Sequence, residues 1–393
     1  MQIGSFSLIK ELNTSLILKI IRSRKSISRA DIAKLTGLTP VTVTNITSEL
    51  INHKLILETK LGVSNGGRKP VLLEFNSSEY NIIGVSISKH KITLSLTDLD
   101  ANLIKQKKER ISGNISPENA IDIIIKDISD FLKIASKRVL GIGISMEGLI
   151  DDQKGICVLS SNFKWENVDF KKDIYERFSI PVFVNNDVKA LTLGEKLFGF
   201  AKNSGNYVHI YTGYGIGATL VNEGHIYRGA SNYALEIGHA TLDVNGPLCT
   251  CGNRGCFQAM ASGSALISHI IEKGYDKKYF HDEDISIDAV IEKVKEGNQE
   301  ISELVDEIAH YIGVGIANII NIFNPPLIIV NGFICRLDER VKNIILDTVK
   351  KNSLKNMLND ANVIFSQFAN DEAYKGATAL ILSELTENPE TFF

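Results

Sequence analysis

The sequence predicts an α+β head joined to a larger α/β body, and three observations carry that prediction. Near the N-terminus, apolar stripes at helical spacing are broken by a glycine-containing turn and followed by a hairpin with a cationic, glycine-rich tip. From residue 81 onward, strand-like and helix-like stretches alternate in two successive runs. Within the second run, residues 236–256 gather a carboxylate, a histidine and three of the five cysteines into one turn-rich stretch.

Composition sets the class. The chain has 393 residues, of which 44% are hydrophobic and 23% charged, the balance of an ordinary globular protein of two or three domains. No apolar run reaches the roughly 18 residues of a membrane span, and MQIGSFSLIKELN lacks the apolar core and cleavage site of a signal peptide. A cytoplasmic protein without a membrane partner is the expectation. Five cysteines, three of them clustered, point to a metal in a reducing compartment rather than to a disulfide framework. The net charge of −3 predicts no nucleic-acid partner by itself, but basic residues outnumber acidic ones over residues 10–69, so DNA binding would be local to the head.

In the head, Leu12, Leu16, Ile17, Ile20 and Ile21 mark a first helix. Ser28 with Asp31 resembles a capping box and opens a second helix, with Ile32 and Leu35 as its buried face and Gly37 as its stop. Thr39 as N-cap and Pro40 at the first helical position open a third, whose inner stripe is Val43, Ile46 and Leu50. This is a helix-turn-helix pattern. Val41, Thr42, Thr44 and Asn45 face outward, small and polar enough for a major groove, with Thr44 and Thr47 suited to phosphate. Ser28, Arg29 and Thr39 join them as candidate DNA contacts. The following hairpin, with Asn65-Gly66-Gly67-Arg68-Lys69 at its tip, reads as a wing that offers Arg68 and Lys69 to the backbone or minor groove; an ordinary surface hairpin with a solvated basic turn is the alternative.

In the body, residues 84–88 and 91–97 alternate as adjoining antiparallel strands, followed by a helix over 120–137, a strand over 139–145, a helix over 170–178, a strand over 182–184 and a helix over 188–198. A second antiparallel pair spans 207–211 and 216–221; a long helix over 301–323 leads through Asn324-Pro325-Pro326 into a strand over 327–330, and a helix over 371–385 closes the chain. Two such units in succession suggest two lobes with a ligand cleft. The expected boundaries are 1–76 for the winged helix-turn-helix and 77–393 for the body, with one lobe at about 77–190 plus the C-terminal helix and the other at about 191–370.

The cysteine stretch reads as a structural zinc site. Cys249, Cys251 and Cys256 are spaced C-x-C-x4-C, with His239 ten residues upstream, so three thiolates and one imidazole are available to a tetrahedral Zn2+. Gly246, Pro247, Gly252 and Gly255 supply the turns. Reduced cysteines in a loop are the alternative. Glu236 lies three residues before His239 and can face the same way. The other histidines have no ligand-like spacing, and Cys157 and Cys335 read as buried thiols. Gly213-x-Gly215-x-Gly217 is not followed by a helix, as a dinucleotide fingerprint requires.

The winged helix, the segment Val184-Asn185-Asn186-Asp187, the stretch GYGIGATLVNEGHIYRGASNYALEIGH and the cysteine loop, in that order, resemble the ROK family of repressors and sugar kinases. The resemblance runs from about Leu12 to the C-terminus. It implies an actin-like, ribonuclease-H-like duplicated body of two lobes, assembled as a homodimer or tetramer, with Asn186, Asp187, Glu236 and His239 as sugar contacts. Gln258 stands where the family carries a glutamate, and Glu147 where many members carry proline. Asp187 holds the place of the aspartate that deprotonates the sugar hydroxyl in the family's kinases. Their first phosphate loop reads Asp-x-Gly-Gly-Thr, whereas this chain has Ser86-Ile87-Ser88-Lys89-His90; the second keeps one glycine, in Asn331-Gly332-Phe333. With the carboxylate and the glycines gone, no catalytic residue is assigned. The expectation is a repressor that binds operator DNA and a monosaccharide effector; the alternative is an ATP-dependent sugar kinase with an appended DNA-binding domain.

Overall fold

The computed structural model describes residues 6–61, 69–230, 232–280, 285–368 and 373–393. It divides into two units, one of residues 1–190 with 374–393 and one of residues 191–373.

The head opens the first unit with α1 (Phe6–Arg24), β1 (Ile27–Ser28), α2 (Arg29–Thr36), α3 (Pro40–Asn52), β2 (Ile56–Leu61) and β3 (Val71–Phe75). Local chemistry sets these boundaries. Ser28 Oγ accepts from Asp31 N at 3.1 Å and donates to Asp31 Oδ2 at 2.6 Å, which starts α2. Gly37, at φ 69°, ends it in the left-handed conformation that a side chain would strain. Thr39 Oγ1 accepts from Thr42 N at 3.2 Å and Pro40 fills the first position of α3. Ile17, Ile21, Ile32, Val43, Ile46 and Leu50 are buried as a common core. Leu35 departs from the expected buried face: it is 53% exposed, because it stands in the last turn of an eight-residue helix, just before the chain turns away. The sheet also has a strand that the pattern did not predict. Two-residue β1 pairs antiparallel with β3, giving the order β1-β3-β2. Since Ser28 is 3% exposed and makes two bonds, Ser28→Ala is expected to destabilise the head by about 1 kcal/mol. Denaturant unfolding of the full chain followed by a probe on α3 measures this.

The rest of the first unit is a five-stranded sheet in the order β11-β7-β4-β5-β6. Its strands are β4 (Asn81–Ser88), β5 (Lys91–Thr97), β6 (Leu103–Arg110), β7 (Val139–Met146) and β11 (Val182–Asn186). β4, β7 and β11 run parallel, and β5 and β6 are antiparallel additions. β6 eludes the alternation rule because it is a charged edge strand, LIKQKKER, whose lysines discourage further pairing. A small sheet of β8 (Leu149–Asp151), β9 (Ile156–Ser160) and β10 (Trp165–Asp169) follows β7. Helices α4 (Pro117–Ile134) and α5 (Phe170–Phe178) join the sheet in one apolar core; α4 stops short of the expected residue 137. The C-terminal helix, Ala373–Glu387, packs on β4 and β7, where glycines make room. A Cβ on Gly143 would lie 2.0 Å from the Ala377 carbonyl oxygen. The expected start of that helix at residues 371–372 lies outside the described residues. Beyond it the Phe393 ring lies 4.4 Å from the His53 ring, and Tyr80 Oη donates to the His53 carbonyl at 2.7 Å, tying the end of α3 to this part of the unit.

The second unit carries α6 (Asp187–Phe198, begun in the first unit) and a five-stranded sheet, β14-β13-β12-β15-β16. Its strands are β12 (Tyr207–Thr212), β13 (Ile216–Asn222), β14 (His225–Ile226), β15 (Leu327–Gly332) and β16 (Asn362–Phe365). β12, β15 and β16 are parallel, and β13 and β14 are antiparallel additions, which repeats the first sheet's pattern strand for strand. The duplication expected for the body is thus visible in the topology. Helices α7 (Phe257–Ala261), α8 (Gly263–Glu272), α9 (Tyr275–Tyr279), α10 (Ile287–Lys295), α11 (Gln299–Phe323), α12 (Glu339–Asn352) and α13 (Lys355–Asp360) complete the unit, most of them around one apolar core. No helix among the described residues is long and apolar enough to cross a membrane.

Candidate functional site

In the second unit the cysteine stretch folds into a compact loop before α7. Cys249 N donates to Asn253 O at 2.7 Å and Gly252 N to Cys249 O at 2.9 Å, while a bridge between Thr241 and Cys256 closes the loop's base. Gly255 (φ 62°) is required here, because a Cβ would lie 1.4 Å from the Asp243 carbonyl oxygen. The result brings His239, Cys249, Cys251 and Cys256 together, with one ligand atom of each within 4.8 Å of all the others. Cys249 Sγ lies 3.7 Å from His239 Nδ1, and Cys251 Sγ 3.7 Å from Cys256 Sγ. A tetrahedral centre with metal–sulfur bonds of about 2.3 Å has edges of about 3.8 Å, so the four residues could hold one cation.

The thiols differ in charge. Burial pushes Cys249 up, but hydrogen bonds from Cys251, Gln258 and His239 outweigh it and lower the thiol to about 6. Cys256 is pushed up to about 12, by burial first and by its neighbouring thiols second, and would lose its proton to a bound cation. His239 turns Nδ1 into the cluster, leaving Nε2 on the opposite side of the ring. Gln258 donates through Nε2 to Cys249 Sγ at 3.5 Å, so it belongs to the surroundings of the cluster. Glu236 is exposed at the start of the short 3-10 helix that carries His239. That helix lies close under β13, since a Cβ on Gly238 would meet the Ile216 carbonyl oxygen at 2.1 Å.

In the first unit, Asn186 and Asp187 sit at the carboxyl end of β11, where α6 begins. Asn186 Oδ1 accepts from Val188 N at 3.0 Å and Lys189 N at 3.3 Å, and its Nδ2 donates to Gly148 O at 3.1 Å. The amide thereby joins the helix start to the turn after β7. Asp187 is half-buried in the first turn of α6, where the helix dipole favours its charge. Glu147, in that turn, has a partnership the sequence does not disclose: Ser160 Oγ donates to one carboxylate oxygen and Asn162 Nδ2 to the other. Burial raises the Glu147 pKa, and the side-chain hydrogen bonds of Ser160 and Asn162, a backbone hydrogen bond from Asn162 and the charge of Lys89 oppose it.

The two phosphate-loop positions are built otherwise. Lys89 and His90 form a tight hairpin tip between β4 and β5, closed by Ser88 Oγ donating to Lys91 O at 3.1 Å. After β15, Gly332 keeps its positive φ (104°), but Phe333 is 2% exposed within the apolar core of the second unit. Gly213 and Gly215 lie in the turn between β12 and β13, as the missing helix implies.

On the head, Thr39, Val41, Thr44 and Asn45 are exposed, Val41 by 69%, while Thr42 is half-buried and bonded to Thr39 through its hydroxyl at 2.9 Å. Thr44 Oγ1 donates back to Pro40 O at 2.8 Å. Three expectations are corrected. Thr47 is fully buried and cannot meet phosphate; Arg29 donates through Nε to Thr47 Oγ1 at 2.9 Å and pairs with Glu58 at 2.8 Å; Ser28 is the buried cap of α2. Arg29 and Thr47 brace the head through partners distant in sequence, and Ser28 through its local bonds to Asp31. Lys69 is exposed, and Arg68 lies outside the described residues.

Known proteins share this architecture. The profile of the ROK family matches residues 82–384. The xylose repressor of Bacillus subtilis (strain 168) is 33% identical over 393 residues, covering 98% of this chain and 99% of the relative. A crystal structure of a ROK family transcriptional regulator, a homolog of the Escherichia coli MLC protein, superposes with a TM-score of 0.84 at 28% identity, covering 97% of each chain. A ROK family glucokinase from Streptomyces griseus, in complex with glucose and AMPPNP, superposes with a TM-score of 0.66 at 25% identity, over 76% of this chain and 98% of that one.

Proposed function

The chain belongs to the ROK family, and from that premise we propose that it is a sugar-responsive transcriptional repressor, acting in the cytoplasm as a homodimer or tetramer on an inverted-repeat operator. The observation that carries the reading is the tip between β4 and β5. Ser88, Lys89 and His90 stand there in place of a glycine cradle, so the backbone offers no close approach to a nucleotide phosphate. The buried Phe333 at the second turn supports it. Residues 1–76 act as a winged helix, with α3 in the major groove. There Val41 and Asn45 meet base edges, Thr39, Thr42 and Thr44 line the backbone, and Arg68 and Lys69 extend the contact from the wing.

We assign sugar recognition to Asn186, Asp187, Glu236, His239 and Gln258. Asp187 serves as a hydrogen-bond acceptor instead of a catalytic base. His239, Cys249, Cys251 and Cys256 would hold Zn2+, which a three-sulfur, one-nitrogen set favours, and with Nδ1 so engaged His239 would present Nε2 to a hydroxyl. Sugar binding acts on DNA affinity through its unequal fit to two conformations. The contacts of Tyr80 and Phe393 with His53 offer a path to the end of α3.

Fluorescence anisotropy on a duplex from the protein's own upstream region, at one fixed salt concentration, tests this. Among D-xylose, D-glucose and N-acetylglucosamine, the sugar that binds is expected to weaken operator affinity by roughly 5- to 150-fold. Unchanged operator affinity with a sugar that demonstrably binds contradicts the proposal. Sugar-dependent release of ADP from ATP would favour the kinase instead.

A further inference from the structure

We propose that Glu147 is a specificity-determining contact for the sugar, accepting a hydrogen bond from one particular hydroxyl; this rests on the sugar-binding reading above and extends it by a residue. The placement follows from strand register. Ile87 pairs with Met146 across β4 and β7, and Met146 pairs with Asn186 across β7 and β11. One residue further on, Ser88, Glu147 and Asp187 therefore stand in a row at the carboxyl ends of three adjacent parallel strands. That end of an open parallel sheet is where ligands bind.

The turn that carries Glu147 is held from two sides. Gly148 has φ 115°, and a Cβ on it would lie 2.5 Å from the Leu159 carbonyl oxygen. Its own carbonyl accepts from Asn186, the residue that caps α6 beside Asp187. The carboxylate is fixed as well, since Ser160 Oγ and Asn162 Nδ2 each donate to a different oxygen. The Asn162 backbone N–H donates to the carboxylate as well; two carboxylate oxygens have about four acceptor sites, so capacity for a further donor remains.

A half-buried carboxylate is costly to hold where water is scarce, and burial raises the Glu147 pKa despite its hydrogen bonds to Ser160 and Asn162. Tethering a serine and an asparagine does not require a charge, because a neutral amide or hydroxyl would serve. A further donor supplied by a ligand would offset the burial cost. A sugar hydroxyl is that donor, and a sugar lacking it would leave the carboxylate underbonded and bind much less well. Two carboxylates side by side, Glu147 and Asp187, suit neutral polyols and disfavour anionic ligands.

Calorimetry on the full-length, cation-loaded protein tests the inference with D-xylose, D-glucose and the monodeoxy derivatives of each. Wild type, E147Q and D187N are compared, with E147D replacing E147Q should the latter fail to fold. For the sugar that wild type binds, E147Q is expected to lower affinity by about tenfold or more. The two losses should overlap at one hydroxyl: the analogue lacking it binds E147Q as well as it binds wild type. Losses that add at every position, or an E147Q affinity equal to wild type, overturn the role of Glu147. If wild type binds none of D-xylose, D-glucose and N-acetylglucosamine, or D187N binds as wild type does, the sugar-binding reading itself fails and this inference falls with it.

Discussion

Asp187→Asn is expected to leave operator binding intact and to weaken sugar affinity by about tenfold to a hundredfold, the range for losing a hydrogen bond to a charged group. The substitution is conservative for the fold. Asp187 Oδ1 accepts from Val188 N at 2.9 Å in the first turn of α6, and an asparagine oxygen can do the same. What changes is the charge, which α6 favours at its N-terminus and which a sugar hydroxyl would meet as a strong acceptor. Calorimetry for the sugar and anisotropy for the operator separate the two effects. A variant released from the operator at the wild-type sugar concentration would remove Asp187 from recognition.

Removing the cation has a larger reach. Cys251→Ser deletes one of three sulfur ligands from a cluster whose atoms lie within 4.8 Å of one another. Cys251 is exposed on its own. In that variant Cys249 has one neighbouring cluster sulfur left, Cys256, and His239 would no longer be held through Nδ1 by a cation. The expected result is loss of the bound cation, from one per chain to none by elemental analysis, together with loss of the sugar response. The head, folded around its own core, keeps its operator affinity. A strong chelator should reproduce the variant. Retention of full sugar response in metal-free protein would show that the cluster does not support recognition.

How much of this was legible in the sequence depended on how local the signal was. Ser28, Gly37, Thr39 and Pro40 act on neighbours within a few residues, and each marks the boundary the chemistry predicts. The cysteine cluster was legible for the same reason, since spacing alone brings four ligands into one loop. Partners that lie far along the chain were not legible. Arg29 looks like a free cation in the sequence, but Thr47 and Glu58 bond to it, and the bonds of Glu147 to Ser160 and Asn162 leave no mark in the sequence. Short or charged strands also escaped. β6 is a lysine-rich edge, and β8 has three residues, so neither shows a period that can be counted. The doubled sheet pattern needs the register of both sheets and so belongs to the structure alone.

The central claim is that one protein couples two ligands, and linkage makes the coupling reciprocal. If sugar weakens operator binding by some factor, operator must weaken sugar binding by the same factor. The most direct measurement is the sugar affinity of the full-length protein by calorimetry, free and then saturated with operator duplex, at one salt concentration. Sugar affinity lower on the operator complex, by the factor that sugar imposes on operator binding, is the predicted result. Equal sugar affinity with and without operator would contradict the account.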